Sequence, residues 1–242
     1  MIVVQTPLRI SFLGGGTDFE DFYTSHGGAC LSTAIDKYVF VIVKKRFDDM
    51  IYVNYSKKEI VDNLDKLEHR LVRESMRLTG VEKGIEITTL ADIPAGGTGL
   101  GSSSSITIAL LHALHAYRGE LTNAENLAQE ACKIEIDILK NPIGKQDQYI
   151  TSYGNIRLIT FNDSHTKIEM VDVSDSEKRR LNDSLMLFYT GITRKSETVL
   201  SEQKARLEQQ YDILTIMRDL AFKAKEAVQS GDFDKLGELL HQ

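Results

Sequence analysis

Apolar and polar positions along this chain change period several times, and each change marks an element. Val3 and Val4, then Leu8, Ile10 and Phe12, alternate around Pro7 and stop at Gly14-Gly15-Gly16, which predicts a strand ending in a tight turn. Residues 29–35 follow His26-Gly27-Gly28, and the β-branched run 38–43 comes next. Residues 50–55 lie beyond an Asp48-Asp49 turn, and this pattern predicts a hairpin. Leu64, Leu67, Leu71 and Leu78 sit at helical spacing, so 60–79 is expected to be a helix that stops at Gly80. Residues 85–90 return to strand.

Ile106, Ala109, Leu110, Ala113, Leu114 and Tyr117 keep the i, i+3, i+4, i+7 rule, which predicts a helix beginning inside 102–105 and ending near Gly119. Leu127, Ala131, Ile134 and Ile138 predict another, capped by Thr122 or Asn123. Residues 156–161 and 167–173 read as a strand pair around Asn162-Asp163. The charged stretch 174–183 reads as a domain junction, 185–189 as a last strand, and the chain beyond Lys195 as helical. Leu200, Leu207, Leu214, Ala221 and Val228 recur every seven residues; a long helix packing on its own sheet explains this better than a coiled-coil seam. There is no internal repeat, and strands interspersed with helices indicate an α+β fold.

The 242 residues fit one large domain or two small ones and can bury a sizeable core. With 29 Lys and Arg against 35 Asp and Glu, the formal charge is −6, which argues against a nucleic-acid or polybasic membrane surface. No apolar run approaches the roughly 18–20 residues of a membrane span. The N-terminus lacks the features of a signal peptide, so a cytoplasmic protein is the expectation. Cys30 and Cys132 have neither zinc-ligand spacing nor a nucleophile's neighbours. His112 and His115 form an HxxH that reads as a helix-rim pair.

The segment Pro94-Ala95-Gly96-Gly97-Thr98-Gly99-Leu100-Gly101-Ser102-Ser103-Ser104-Ser105 joins a strand to the clearest amphipathic helix. Glycines let a backbone approach an anion, and a helix start offers unpaired N–H groups and a positive dipole end. Ser hydroxyls there can donate to phosphate or ligate Mg²⁺. The Gly96-x4-Gly101 spacing imitates a Walker A loop, but Ser102 occupies the lysine position, so this is not a standard P-loop. Downstream, Glu135 lies beside the apolar stripe of its helix, and Asp147 follows a Pro142/Gly144 break. One carboxylate for a metal and one for an accepting hydroxyl are what phosphoryl transfer requires, although ordinary surface acids would have the same spacing. Near the N-terminus, alternation puts Arg9 on the opposite face from Leu8, Ile10 and Phe12, just before the triple glycine and Thr17-Asp18. A cleft on that face would give Arg9 a cationic role and Asp18 one toward sugar hydroxyls.

Together, the segments 7–18, 94–105 and 135–147 resemble the three leading features of the GHMP kinase superfamily. The stretches Arg9–Asp18, 27–29, 32–38 and 144–149 are most similar to its D-glycero-D-manno-heptose 7-phosphate kinases. Galactokinases usually carry Glu-His where this chain has Gly15-Gly16. The resemblance implies a two-domain fold: an N-terminal ribosomal-protein-S5-like domain over 1–175, and a C-terminal ferredoxin-like domain over 176–242. The latter is expected to be partial, because nothing after Gly191 resembles the third family motif. It also implies ATP and Mg²⁺ as cofactors, and phosphorylation of a heptose 7-phosphate at its anomeric hydroxyl.

In this reading Gly96, Gly97, Thr98, Gly99, Leu100, Gly101, Ser102, Ser103, Ser104 and Ser105 cradle the phosphates. Ser103, or a serine next to it, joins Glu135 on the metal. Asp147 is the catalytic carboxylate, and Arg9 stabilises the transferring group and keeps Asp147 ionised. Asp18, Thr17 and Gly16 meet the sugar. The expected partner is a small sugar phosphate, not nucleic acid or membrane, and a homodimer is compatible with the sequence. A kinase for another sugar, or a binding protein that has lost turnover, are the rival readings. Lys145, Arg157, Arg194 and Lys195 are the cations a substrate phosphate could use, and each also reads as a solvated surface charge.

Overall fold

The computed structural model describes residues 1–94, 98–188 and 210–242. The chain is a mixture of α and β with a mixed sheet, as the sequence predicts, and forms two compact units. The first comprises Met1–Arg9, Ile35–Ile143 and Asp147–Tyr153; the second comprises Ile10–Ala34, Gly144–Gln146 and Gly154–Gln242. Strands β1 (Ile2–Leu13) and β2 (Gly28–Lys45), with helix α1 (Glu20–His26) between them in sequence, each contribute one part to each unit.

In the first unit the C-terminal part of β2 pairs antiparallel with β5 (Ile85–Ala91). In turn, β5 pairs parallel with β3 (Ile51–Asn54), and β3 pairs antiparallel with β4 (Lys58–Val61). The hairpin expected across Asp48-Asp49 is therefore absent. β5 sits between β2 and β3, and the Asp48 carboxylate instead binds Arg46 and the Met50 N–H. The helix expected over 60–79 is shorter, α2 (Arg70–Thr79). Residues 58–61 satisfy their backbone on β3, and His69 caps α2 by accepting the Val72 N–H. The helix stops at Gly80, as expected.

Helix α3 (Ser102–Arg118) is buried on two sides. Ala109, Leu110, Ala113 and Leu114 pack with Val72 and Met76 of α2 and with Val41, Val43, Ile51, Val53, Ile85 and Ile87 of the sheet. Ile108 and Leu111 pack on α4 (Ala124–Cys132) through Leu127 and Ala131. Fully buried side chains such as Leu110 and Leu111 each contribute about 1.5–3 kcal/mol, which holds the start of α3 in place. Asn123 caps α4 by accepting the Asn126 N–H. Beyond Cys132 the helix widens into a π-helical turn, Lys133–Ile138, marked by the five-residue bond from Leu139 N–H to Ile134 O. Such insertions are frequent at functional sites.

In the second unit the N-terminal part of β2 pairs antiparallel with β6 (Ile156–Phe161), and β6 with β7 (Thr166–Met170). One sheet face, through Ala29, Leu31, Ile156 and Leu158, packs on α7 (Tyr211–Gln229) and α8 (Phe233–His241). Where it is described, the seven-residue series is buried: Ala221 and Val228 pack on the chain's own sheet, Leu214 packs instead on Phe19 and Phe22, and Leu200 and Leu207 lie outside the described residues. Two further expectations change. The stretch 174–183, expected as a domain junction, holds helix α6 (Asp175–Asp183), opened by a capping box between Ser174 and Glu177 and lying inside the second unit. Residues 185–188 form no strand and are exposed, and residue 189 lies outside the described residues. Among the described residues no helix is long and apolar enough to cross a membrane.

Candidate active site

In the first unit, strand β1 carries Arg9 to the head of α3. The Arg9 N–H donates to Leu100 O at 3.1 Å, and its guanidinium Nη1 donates to Gly99 O at 2.7 Å. Nε and Nη2 then grip both oxygens of Asp147, at 2.6 and 2.7 Å. This is a bidentate, charge-assisted pair, the geometry that fixes a carboxylate most firmly. Asp147 lies in the first turn of α5 (Gln146–Tyr153), whose Thr151 hydroxyl donates to Asp147 O. Asp147 keeps 26% of its side-chain surface exposed, so it is held but reachable.

Gly101 caps α3 from a left-handed conformation, φ +73°. A Cβ here would stand 3.1 Å from Arg9 Cγ and 3.3 Å from Asp147 Oδ2, tight contacts beside a backbone already strained for any side chain. Gly101→Ala is expected to lower stability by about 1–2 kcal/mol through the positive φ alone. Urea unfolding checks this, and an unchanged midpoint would contradict it. No side chain caps α3, so its first N–H groups remain available to an anion. The Ser105 hydroxyl points back into the fold, donating to the backbone carbonyls of Pro7 and Gly101. Gly96 and Gly97 lie outside the described residues.

Glu135, on the π-helical turn, is completely buried. Burial pushes its carboxyl up to about 7; the Gln148 amide, then Ser104 and Ser103, pull the other way. Gln148 Nε2 donates to Oε2 at 2.8 Å. The serine hydroxyls favour the charge without closing a hydrogen bond to Oε1. Glu135 Oε1, Ser104 Oγ and Gln148 Oε1 are all buried without a partner among the described residues. Buried polar atoms are rarely left so, and a hard cation that takes oxygen ligands fits this set. Among the described residues no three His, Cys, Asp or Glu side chains form a metal cluster. A Mg²⁺ site of one carboxylate, a hydroxyl and substrate phosphates does not need one. Ser103 itself is exposed, whereas Ser104 is buried.

In the second unit Asp18 Oδ1 accepts the Gly16 N–H at 3.1 Å and Oδ2 accepts the Gln146 N–H at 3.0 Å, while the Lys145 N–H donates to Asp18 O. Thr17, expected to meet a sugar, is fully buried. Its hydroxyl donates to Gly14 O and accepts the Ala29 N–H, so it shapes the turn from beneath. A Cβ on Gly144 would stand 2.1 Å from Asp18 Oδ2 and 2.8 Å from Asp18 O. Gly144→Ala must therefore displace the carboxylate from its buried N–H donors, and is expected to cost at least about 2 kcal/mol. A urea midpoint within error of the parent protein would refute that. Lys145 Nζ lies 4.8 Å above the Tyr23 ring. Arg157 donates to Gly154 O, and Arg194 and Lys195 lie outside the described residues.

Arg9, Asp147, Glu135 and the serines that open α3 stand out in the sequence by residue type and motif. The bond from Gln148 to Glu135 does not, because a buried amide thirteen residues from its carboxylate leaves no periodic trace.

The family model "GHMP kinases N terminal domain" matches residues 66–155. A "D-glycero-alpha-D-manno-heptose 7-phosphate kinase" of Campylobacter jejuni is 27% identical over 257 residues, covering 99% of this chain and 75% of that protein. A crystal structure described as a D-glycero-D-manno-heptose 1-phosphate kinase from Bacteroides thetaiotaomicron superposes with a TM-score of 0.84 at 21% identity, covering 99% of this chain and 76% of that one. Streptococcus pneumoniae phosphomevalonate kinase, with phosphomevalonate and AMPPNP, superposes at 0.80 and 16% identity, covering 100% and 78%. The family match and the shared fold agree: residues 66–155 of this chain are a GHMP kinase N-terminal domain.

Proposed function

We propose that the chain is an ATP-dependent sugar kinase that phosphorylates the anomeric (C1) hydroxyl of D-glycero-D-manno-heptose 7-phosphate, giving the 1,7-bisphosphate for nucleotide-activated heptose and surface glycans. The observation that carries the kinase reading is the bidentate Arg9–Asp147 pair set against the Gly99–Gly101 loop at the head of α3. The similarity to the Campylobacter heptose 7-phosphate kinase, along 99% of this chain, supports the choice of acceptor.

Thr98, Gly99, Leu100, Gly101 and Ser102, with the first N–H groups of α3, would cradle the ATP phosphates. Gly96 and Gly97 belong to the same proposed loop. Glu135 with Ser103 or Ser104 would hold Mg²⁺, which when bound neutralises charge on the phosphates. Arg9 spends three N–H groups on Asp147 and Gly99, leaving two of its five for the transferring phosphoryl oxygens. Asp147 accepts the hydrogen bond of the acceptor hydroxyl and aligns its oxygen for in-line attack. A carboxylate gripped this tightly is a better orienting group than early base, which suits a loose transition state where the proton leaves late. Asp18 and the Gly16 turn would meet sugar hydroxyls.

The test is ADP release with Mg·ATP and D-glycero-D-manno-heptose 7-phosphate, the unphosphorylated heptose, galactose, fucose and mevalonate as separate acceptors. Turnover confined to the 7-phosphate is the expected result. Turnover confined to galactose or fucose would keep the kinase and discard the heptose. No turnover with any acceptor would favour a binding protein.

A further inference from the structure

Gln148 has no place in the chemistry described so far, yet it is fully buried on α5 and points its amide at Glu135. We propose that Gln148 is a positioning residue: its amide holds Glu135 by Oε2 so that Oε1, with the Ser104 hydroxyl, is presented to the cation of a metal–nucleotide complex. This inference rests on reading Glu135 as a metal ligand.

Three observations favour it over simple core packing. The 2.8 Å bond from Gln148 is the one hydrogen bond to the Glu135 carboxylate among the described residues. Without it, the side chain of Glu135 would be free to turn about its last torsion, which is broad for a carboxylate. The second observation is what remains over. Glu135 Oε1, Ser104 Oγ and Gln148 Oε1 stay buried and unpartnered together, a set that a packing role does not explain and a ligand would satisfy. The third is chemical type. A glutamine can donate to one carboxylate oxygen without adding charge, so it orients the ligand and leaves the full negative charge for the cation. Groups that orient a ligand from behind in this way typically change metal affinity by about 10–100-fold when removed.

The experiment measures Mn²⁺ affinity by electron paramagnetic resonance, in the full chain saturated with a non-hydrolysable ATP analogue. The variants are Gln148→Met, Glu135→Gln and the two combined, with metal-free nucleotide affinity and thermal unfolding measured alongside. We expect Gln148→Met to weaken Mn²⁺ binding at least about tenfold while metal-free nucleotide affinity stays within about twofold. Glu135→Gln should weaken it as much or more, and the double variant should add nothing further, because both changes disable one ligand. Should Gln148→Met fail to fold, Gln148→Asn keeps the amide but shortens its reach, and is expected to weaken Mn²⁺ in the same direction. Parent-like Mn²⁺ affinity in the Gln148 variant, with Glu135→Gln impaired, would overturn the positioning role alone. Additive losses in the double variant would do the same. Unchanged affinity in Glu135→Gln would overturn the metal-ligand reading and this inference with it.

Discussion

Asp147→Asn is expected to lower turnover by about 10²–10⁴-fold while leaving Mg·ATP binding intact. The asparagine keeps the shape of the side chain but loses one acceptor, so it cannot satisfy both Nε and Nη2 of Arg9 at 2.6 and 2.7 Å. It also presents no charge to the proton leaving the acceptor hydroxyl. ATP is to be held by the loop and the head of α3, which Asp147 does not build. The loss should therefore appear in kcat and not in nucleotide affinity. Near-parent turnover, or a loss confined to the KM for ATP, would contradict the assignment.

Glu135→Gln is expected to change how stability depends on pH. Burial holds the Glu135 carboxyl up at about 7, against an ordinary value of 4.5. Between those values the folded chain keeps a proton that the unfolded chain has lost, so stability falls as pH rises from about 4.5 and levels off above about 7. The fall amounts to about 3 kcal/mol for this group. Glutamine is never charged and escapes it. Relative to the parent, the variant should gain about 3 kcal/mol between pH 4 and pH 8, read from urea unfolding of the metal-free protein at both values. A difference between the two proteins that does not vary with pH would contradict the buried carboxylate. The parent thus tolerates an unfavourable charge at a place where a cation would relieve it, the kind of local cost that functional sites carry.

What the sequence made legible was whatever its local chemistry decides. Strand β1 ends at the triple glycine, α3 begins at Ser102 and ends at Gly119, and Asn123 caps α4, because caps and glycine turns act within a few residues. Pairing over distance was not legible. Residues 50–55 look like the return strand of a hairpin, but β5 is the neighbour both strands share, a choice made by the Val41, Val43, Ile51, Val53, Ile85 and Ile87 core. Leucines at helical spacing over 60–79 concealed the strand at 58–61, whose backbone is satisfied by β3. Arg9 stood out as a charge on the wrong face of a strand, and its partner Asp147 stood out through its motif. Their direct contact, 138 residues apart in sequence, belongs to the fold alone. Thr17 shows the reverse case: a polar residue inside a motif, which reads as a ligand contact until its complete burial is known.

Transfer of the γ-phosphoryl group of ATP to the anomeric oxygen is visible in ³¹P nuclear magnetic resonance of the reaction mixture. With the chain, Mg·ATP and D-glycero-D-manno-heptose 7-phosphate, the expected products are ADP and a second phosphate ester whose phosphorus couples to the anomeric proton. The 7-phosphate signal should persist in the product. A new ester coupled to any other sugar proton, or ADP accompanied only by inorganic phosphate, would contradict it.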